Sequence, residues 1–297
     1  MPHPVTYVII ATKGRAEAVL RLLERMEWQT VHPTRIILSA CEATDVPVVT
    51  TMIPTQIVLG PPGLAAQRNR ALSVLPVDTD YIVFFDDDFV PSCLWIERMQ
   101  AFFAMRPDAV ALTGRVLADG VKSGGIDWAE GLSMIERVDH DAKPITGERF
   151  SARSGKSPYG CNMAYRFKMI KGLTFDERLV LYGWLEDRDF GFRATKGKGA
   201  AFWTDALWGV HLGIKGARVS GASFGYSQVV NPWYLFNKGV ATSLKTGSYI
   251  VHAIATNAIM CLIRNNHVDR FGRLQGNLLG IADIIRGSWR PERAADI

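Results

Sequence analysis

A strand-like run followed at once by three carboxylates constrains this sequence more than any other feature. Residues 81–85 read YIVFF, a continuous apolar run that is typical of a strand covered on both faces of a parallel sheet. Asp86, Asp87 and Asp88 follow directly. Adjacent negative charges repel one another and are costly to bury unless a positive charge lies among them. Since open α/β sheets bind ligands where their strands end, the segment predicts a divalent cation held by aspartate oxygens. The alternative is a solvated acidic turn before a helix.

The size and composition of the chain are those of a folded, globular protein. Its 297 residues, 48% of them hydrophobic, suffice for one large α/β domain or two smaller ones. Because only 21% of the residues are charged, a disordered polymer is excluded. The four cysteines form no CxxC pair, which indicates reduced thiols in a cytosolic protein rather than a zinc site. We see no signal peptide and no apolar run long enough to cross a bilayer.

The positive charge is concentrated towards the end of the chain. Residues 215–297 contain ten Lys and Arg against four Asp and Glu, whereas residues 1–214 are nearly neutral. We therefore predict an α/β domain over residues 1–214 and a helical, basic region over residues 215–297. The basic region suggests an anionic partner, either a membrane surface, a lipid diphosphate or a nucleic acid. Nucleic acid is disfavoured, because no helix-turn-helix or RNP-like signature occurs and the acidic centre would repel phosphates.

The patterns that precede the acidic run are typical of a nucleotide-binding α/β unit. Residues 5–10 predict a strand, and a polar turn with Lys13 and Arg15 leads into an amphipathic helix. Backbone N–H groups and basic side chains in such a turn suit a nucleotide. No GxGxxG or Walker lysine motif occurs, so dinucleotide and P-loop proteins are disfavoured.

The other elements follow from local periodicity and turn residues. The polar, glycine-rich stretch 119–157 predicts long loops, including a mobile one. Residues 249–264 are apolar nearly all round and too short to span a membrane, which leaves a buried helix, a membrane-surface helix or an oligomer contact. Strands are predicted over residues 35–39, 55–59, 109–113, 158–165, 202–204 and 207–211, and helices from about residues 64, 92 and 220.

A second acidic segment, YGWLEDRDF, occupies residues 182–190. A glycine turn there feeds a helix whose first turn holds Glu186, Asp187 and Asp189. Acidic residues are favoured by the helix dipole at that position, which is one explanation. The segment also suits an acceptor site, in which the tryptophan ring stacks on a sugar and a neighbouring carboxylate acts as the general base. His211 is the last residue of a short apolar segment. It could be a metal ligand, or it could be an ordinary core or surface histidine.

Four motifs, in the order in which they occur along the chain, resemble those of the inverting family 2 glycosyltransferases, which have a GT-A fold. The resemblance covers roughly residues 5–212 and rests on VIIATKGR, GLAAQRNRAL, FFDDDFVP and GWLEDRDF. With its basic helical tail, the chain resembles bacterial enzymes that build exopolysaccharide or cell-surface glycans. The resemblance implies a Rossmann-like, mixed and mostly parallel sheet flanked by helices, with a helical C-terminal extension.

The resemblance also implies a nucleotide-sugar site. Family members often place an aspartate after the second strand to hold a uracil ring, but here Cys41 and Glu42 lie near that position. Glu42 or Asp45 would substitute, which leaves the identity of the base open. The residues implied to contact the nucleotide sugar are Thr12, Arg15, Glu42, Arg68, Asn69, Asp86 and Asp87.

A metal site is implied at Asp86 and Asp88, with His211 as a late ligand. The ion would be Mn²⁺ or Mg²⁺, since carboxylates hold such cations and leave coordination positions open for phosphate and water. A histidine ligand would favour Mn²⁺, because imidazole suits the softer ion.

The implied catalytic base is Asp187, with Glu186 beside it and Trp184 facing the acceptor sugar. The reaction would move a sugar from a nucleotide-diphosphate sugar to a hydroxyl of a glycan or lipid-linked saccharide, with inversion at the anomeric carbon. A carboxylate within roughly 2.6–3.2 Å would take the proton of that hydroxyl.

The expected location is the cytoplasm, with peripheral contact to the inner face of the plasma membrane or homodimerisation through residues 215–297. Two other functions remain open from the residues. One is a phosphotransferase of the haloacid dehalogenase type, which also uses a DxD motif but normally on the first strand of its domain. The other is a non-catalytic scaffold that binds glycan or membrane.

Overall fold

The computed structural model describes residues 4–48, 51–121, 124–143, 151–155, 157–214, 219–262 and 268–297. The chain forms two compact units. The first comprises Met1–Pro62, Gln67–Thr174 and Phe190–Ala217, and the second comprises Gly63–Ala66, Phe175–Asp189 and Arg218–Ile297. The sequence predicts a boundary after residue 214, whereas the structure also groups residues 63–66 and 175–189 with residues 218–297.

The elements alternate between strands and helices until the chain becomes helical near residue 220. The strands are β1 (Thr6–Ala11), β2 (Arg35–Ala40), β3 (Thr55–Leu59), β4 (Tyr81–Asp86), β5 (Phe89–Pro91), β6 (Ala109–Asp119), β7 (Ala152–Ser154), β8 (Asn162–Arg166) and β9 (Ala200–His211). The helices are α1 (Ala16–Glu27), α2 (Leu64–Ser73), α3 (Trp95–Met105), α4 (Trp128–His140), α5 (Phe167–Ile170), α6 (Glu186–Thr195), α7 (Gly221–Asn237), α8 (Ser243–Leu262) and α9 (Arg270–Arg286).

A mixed sheet forms the centre of the first unit. The strand order is β3-β2-β1-β4-β8-β6-β9-β5, with β7 paired to β9. Strands β3, β2, β1 and β4 pair in parallel, and β8 runs antiparallel to both β4 and β6. The predicted mixed α/β fold, with a central sheet, flanking helices and a helical C-terminal region, is confirmed.

The apolar run of β4 is covered on both faces, as its sequence predicts. Phe85 packs edge-to-face on Trp95 of α3, with 4.8 Å between ring centroids. Phe84 points to the opposite face and packs edge-to-face on Phe190, with 6.5 Å between centroids. Both β4 side chains are at most 1% exposed, so each contributes roughly 1.5–3 kcal/mol through burial. This packing fixes the position at which the strand ends and the carboxylates begin.

The stretch 119–157 differs from the sequence expectation of long loops. It contains α4, whose N-cap Asp127 accepts a hydrogen bond from the N–H of Ala129 at 2.8 Å. Ile135 of α4 packs in an apolar cluster with Trp208. The expectation was wrong because polar and glycine-rich flanks hid a helical period that begins only at residue 128. Residues 144–150, the longest remaining part of the expected loop, lie outside the described residues.

Helices α7, α8 and α9 form the core of the second unit. Gly276 of α9 lies so close to α7 that an added Cβ would come within 2.0 Å of the Ala222 carbonyl oxygen. Asn257 of α8 donates a buried hydrogen bond to Asn277 of α9 at 2.8 Å. Helix α8 is not buried all round, since Val251 is 66% exposed. That exposure removes one of the three alternatives for residues 249–264, of which 263 and 264 lie outside the described residues. No helix in the described parts of the chain has the length and apolar character needed to cross a bilayer.

Candidate functional site

Strand pairing brings Asp86, Asp88 and His211 together. Strand β4 ends at Asp86, and after a tight turn β5 pairs antiparallel with the end of β9 so that Phe89 lies opposite His211. This approach requires Gly209, because an added Cβ at that position would lie 2.3 Å from the ring of Phe89. Residues more than 120 positions apart in the chain therefore share one corner of the sheet.

The donor atoms of these three residues converge. Nε2 of His211 lies 3.2 Å from Oδ1 of Asp88 and 3.9 Å from Oδ2 of Asp86. One donor atom from each residue lies within 4.8 Å of the other two. Asp88 and His211 are buried and Asp86 is half-buried. Two carboxylates and an imidazole form a donor set that suits Mn²⁺ or a similar divalent cation.

Other groups hold the remaining oxygen of each carboxylate. Arg68, which is 2% exposed, donates to Oδ1 of Asp86 at 2.9 Å. The N–H of Ile214 donates to Oδ2 of Asp88 at 2.9 Å. Burial alone would raise the pKa of Asp88, but the hydrogen bond with His211 and the nearby positive charges lower it below its ordinary value. Both carboxylates are therefore held so that their other oxygens turn towards the histidine.

The second ring nitrogen of His211, Nδ1, contacts Asp119, a residue that the sequence motifs do not identify. Its Nδ1 lies 3.2 Å from Oδ1 of Asp119, and the hydroxyl of Tyr159 donates to Oδ2 of Asp119 at 2.9 Å. Burial would lower the pKa of His211, but its hydrogen bonds with Asp119 and Asp88 outweigh that effect and raise it to about 10. Asp119 and His211 are register partners on β6 and β9.

Asp87 turns towards the loop after β1. The hydroxyl of Thr12 donates to its Oδ2 at 2.7 Å, and Arg15 donates to its Oδ1 at 2.8 Å. Arg15 also lies 3.4 Å from Oδ2 of Asp88 and donates to the Ile214 carbonyl at 2.8 Å. Burial raises the pKa of Asp87 to about 6 in spite of the neighbouring guanidinium. Arg15 therefore supplies positive charge beside the two buried aspartates, Asp87 and Asp88.

At the exit of β2 the buried carboxylate is Asp45. It accepts hydrogen bonds from the N–H groups of Gly14 at 2.6 Å, Cys41 at 3.0 Å and Glu42 at 2.9 Å. Burial would raise the pKa of Asp45, but the three N–H groups lower it below its ordinary value. The side chain of Glu42 is exposed, and Asn69 is half-buried in α2. Asp45 therefore shapes the loop after β1, whereas Glu42 faces solvent.

The second acidic segment belongs to the second unit. Asp189, which is fully buried, lies 2.8 Å from Nζ of Lys238, and the same ammonium donates to Asp176 at 2.5 Å. Glu186 is buried and Asp187 is half-buried in the first turn of α6. A single lysine therefore anchors the start of this helix.

Trp184 precedes that helix in a strained turn. It packs edge-to-face on Phe224 and Tyr249, with 6.3 and 6.0 Å between ring centroids. Leu181 and Leu185 have φ values of 60° and 74°, a left-handed backbone that costs a leucine about 1–3 kcal/mol and is enriched at functional sites. The turn borders a shallow surface depression that is lined by Val180, Leu181, Tyr182, Gly183, Trp184, Val219, Phe224 and Ser227.

Comparison with known families gives one match. Residues 56–174 match the family model described as Glycosyl transferase family 2. The match includes the carboxylates at the end of β4 and the Asp119–Tyr159 pair, but neither His211 nor the second acidic segment. No curated protein matches the sequence.

The chain is also similar to several solved structures. TarS from S. aureus is 13% identical, with a TM-score of 0.47 over 88% of this chain, and the match covers 44% of the TarS chain. TarS 1–349 in complex with UDP is 14% identical, with a TM-score of 0.49 over 88% of this chain and 73% of that one. The mannosyltransferase PcManGT from Pyrobaculum calidifontis, in complex with GDP-Man and Mn²⁺, is 14% identical, with a TM-score of 0.49 over 97% of this chain and 88% of that one. None of these likenesses assigns a donor or a metal to this chain.

Proposed function

We propose that this chain, whose residues 56–174 match the model of glycosyl transferase family 2, is an inverting, metal-dependent transferase. It moves a sugar from a nucleotide-diphosphate sugar to a hydroxyl of a glycan or lipid-linked saccharide. One observation carries the proposal: the donor atoms of Asp86, Asp88 and His211 converge within 4.8 Å at the corner of the sheet where β4 ends. A solvated acidic turn would not need a histidine from another strand among its carboxylates.

The proposed metal ligands are Asp86, Asp88 and His211. Bound there, Mn²⁺ or Mg²⁺ would act as a Lewis acid for the negative charge that develops on the departing diphosphate. The imidazole favours Mn²⁺. Arg68 and the N–H of Ile214 restrict the two carboxylates to orientations that keep one oxygen of each towards His211.

The proposed donor site is the loop after β1 and its neighbours. Thr12, Arg15 and Asp87 form one hydrogen-bonded group there, and the basic Arg15 suits the phosphates. Asp45 already accepts three backbone hydrogen bonds. We therefore assign contact with the base to the exposed Glu42 and to Asn69, rather than to Asp45.

The proposed catalytic base is Asp187, with Glu186 beside it. An inverting displacement needs a carboxylate that takes the proton of the acceptor hydroxyl, and it needs no covalent enzyme intermediate. Asp187 is half-buried in the first turn of α6, two residues before Asp189, which forms an ion pair with Lys238. Trp184 offers an aromatic face to the acceptor sugar.

The proposed setting is the synthesis of exopolysaccharide or cell-surface glycan in the cytoplasm. A lipid-linked acceptor would bring the enzyme to the inner face of the plasma membrane. The basic C-terminal region agrees with that setting, since anionic lipids attract Lys and Arg side chains.

A screen of nucleotide sugars tests this function. UDP- and GDP-sugars are added to the protein with and without Mn²⁺, and the melting temperature is measured, because a ligand that binds the native state raises it. We expect one nucleotide class to stabilise the protein only with Mn²⁺, and NMR of the product to show an inverted anomeric centre. Hydrolysis of generic phosphate esters would instead support the phosphotransferase. Donor binding without transfer to any saccharide would support the other alternative, a non-catalytic scaffold that binds glycan or membrane.

A further inference from the structure

The outward faces of α8 and α9 form an exposed apolar surface on the second unit. Large apolar side chains there are between 58% and 88% exposed. Helices α8 and α9 pack on each other, and exposed apolar side chains that are grouped in this way mark an interaction site more often than scattered single ones do. We call this set the α8–α9 surface: Leu244, Val251 and Leu262 on α8, and Phe271, Leu278 and Ile285 on α9.

Helical spacing places each row on one side of its helix. Phe271, Leu278 and Ile285 are seven residues apart, which is close to two helical turns. They lie opposite the glycine face of α9, where Gly276 and Gly280 pack on α7. On α8, Ala253 and Asn257 are buried and the exposed row lies on the other side of the helix. Both rows therefore point away from the helical core of the unit.

The charges on α8 and α9 favour an anionic lipid surface over a second copy of the chain as the partner of the α8–α9 surface. Over residues 243–262 and 270–286 the only carboxylate is Asp283, which is 1% exposed and paired with Arg293. Lys245 and Arg286 are exposed. A second copy of the chain, related by a two-fold axis, would bring the same basic residues and no exposed acid to meet them. An anionic lipid surface offers both an apolar layer and negative charge.

We propose that the α8–α9 surface binds an anionic bilayer, with both helices lying in the plane of the lipid head groups. The apolar rows enter the boundary of the acyl chains while Lys245 and Arg286 meet anionic head groups. This deepens the proposed location of the enzyme, but it does not depend on the transfer reaction.

Flotation with lipid vesicles tests the surface. The full chain is mixed with phosphatidylglycerol–phosphatidylcholine vesicles or with pure phosphatidylcholine vesicles at low salt. We expect binding to the anionic vesicles that falls with added salt. Val251→Glu combined with Leu278→Glu should reduce the partition coefficient at least about tenfold, and Lys245→Glu with Arg286→Glu by roughly fivefold per charge. Val77→Glu, at an exposed apolar position in the first unit, is the matched control and should bind like wild type.

Two results would overturn the membrane proposal. The first is wild-type protein that ignores anionic vesicles, or double variants that bind as well as wild type. The second is light scattering that shows a dimer which Val251→Glu with Leu278→Glu dissociates, because the surface would then be an interface between two copies.

A second inference concerns Asp119 and Tyr159, and it rests on the proposed metal site. Neither residue reaches the converging donor atoms, yet both are linked to His211 through its other ring nitrogen. A metal-binding histidine commonly donates its second N–H to a carboxylate, which fixes the tautomer and the ring orientation. We infer that Asp119 is a positioning residue that keeps Nε2 of His211 directed at Asp86 and Asp88, and that Tyr159 orients Asp119.

Titration with Mn²⁺ alone, followed by electron paramagnetic resonance, tests this inference. Asp119→Asn should weaken Mn²⁺ binding roughly 10–100-fold, and Tyr159→Phe by less. The ¹⁴N coupling of an imidazole to bound Mn²⁺ should be present in wild type, lost in His211→Ala and weakened in Asp119→Asn. Asp205→Asn, at an exposed position of the same strand β9, is the matched control and should match wild type.

The possible results separate the two claims. Wild type that binds no Mn²⁺ overturns the metal site, and this inference with it. Wild-type affinity and an unchanged ¹⁴N coupling in Asp119→Asn overturn the positioning role alone.

Discussion

The two acidic segments look alike in sequence but are held in different ways. At residues 86–88 the carboxylates leave a strand, and their partners come from several other elements: Arg15 after β1, Arg68 from α2 and His211 from β9. At residues 186–189 the carboxylates open a helix, and one lysine from α7's end, Lys238, anchors the last of them. Both segments concentrate negative charge, but only the first gathers donor atoms around a common point in the described structure.

The difference shows what a strand end can do that a helix start cannot. Adjacent strands bring distant residues into one corner, so several carboxylates can share a cation. Side chains in the first turn of a helix diverge around its axis, and each of them meets a different environment. We therefore propose metal binding for Asp86 and Asp88 and a single proton transfer for Asp187.

The largest expected effect follows from removing a metal ligand. Asp88→Asn should lower the transfer rate by about 10³-fold or more, because the cation supplies several kcal/mol of charge stabilisation. Initial rates with saturating Mn²⁺ and donor measure this loss. Asp205→Asn serves as the matched control. A transfer rate of Asp88→Asn near that of wild type would contradict the proposal that Asp88 is a metal ligand.

The next effect concerns the second segment. Asp187→Asn should reduce transfer roughly 10²-fold or more, since an amide cannot accept the acceptor's proton. Donor affinity, measured by calorimetry, should stay at the wild-type value. Glu130→Gln, which changes an exposed carboxylate in the first turn of α4, should leave both quantities unchanged. If donor affinity falls together with the rate, Asp187 belongs to the donor site instead.

The cations that hold the two segments should also behave differently. Arg68→Met should weaken Mn²⁺ binding about tenfold, because Asp86 loses the group that orients it. Lys238→Met should lower the free energy of unfolding by about 2 kcal/mol, because Asp176 and Asp189 lose a charged hydrogen-bond donor. Its Mn²⁺ affinity should not change. Urea unfolding and Mn²⁺ titration of both variants measure the contrast, and a reversed pattern would contradict it.

The smallest effect is a pH dependence of stability in the second unit. Burial would raise the pKa of Asp176, but hydrogen bonds from Lys238 and Tyr234 lower it below its ordinary value. The ionised form therefore stabilises the fold above about pH 4, and this contribution is lost as the pH falls through the lower native value. Asp176→Asn should be less stable than wild type at pH 7, and the difference should shrink below about pH 4. An equal difference at pH 7 and pH 3 would contradict the assignment.

Local patterns in the sequence identified some of these features. The apolar run of β4 and its carboxylates could be located because burial on both faces leaves a continuous signal. Lys238 could not be matched with Asp189, because nothing in either local pattern specifies an ion pair across about fifty residues. Asp119 was missed for a similar reason: its contact with His211 depends on the register of β6 and β9, which joins positions 92 residues apart.

Some residues that are equivalent candidates by sequence pattern have different surroundings in the folded chain. Glu42 and Asp45 were equivalent candidates for the base, yet Asp45 is buried under three N–H groups and Glu42 is exposed. Arg68 is expected to face the nucleotide, and in the structure its guanidinium donates to Asp86 and to the Gly160 carbonyl. Short polar side chains at turns carry little information about which backbone groups they will meet, so these distinctions require the folded chain.

The most direct test of the metal-centred account is calorimetric titration with UDP and GDP in the presence and absence of Mn²⁺. Wild type should bind one of these nucleotides with Mn²⁺ and far more weakly without it, and a variant with Asp86→Ala and Asp88→Ala should lose the Mn²⁺ dependence. Binding that is equally tight with and without the metal, or unchanged in that variant, would contradict the account.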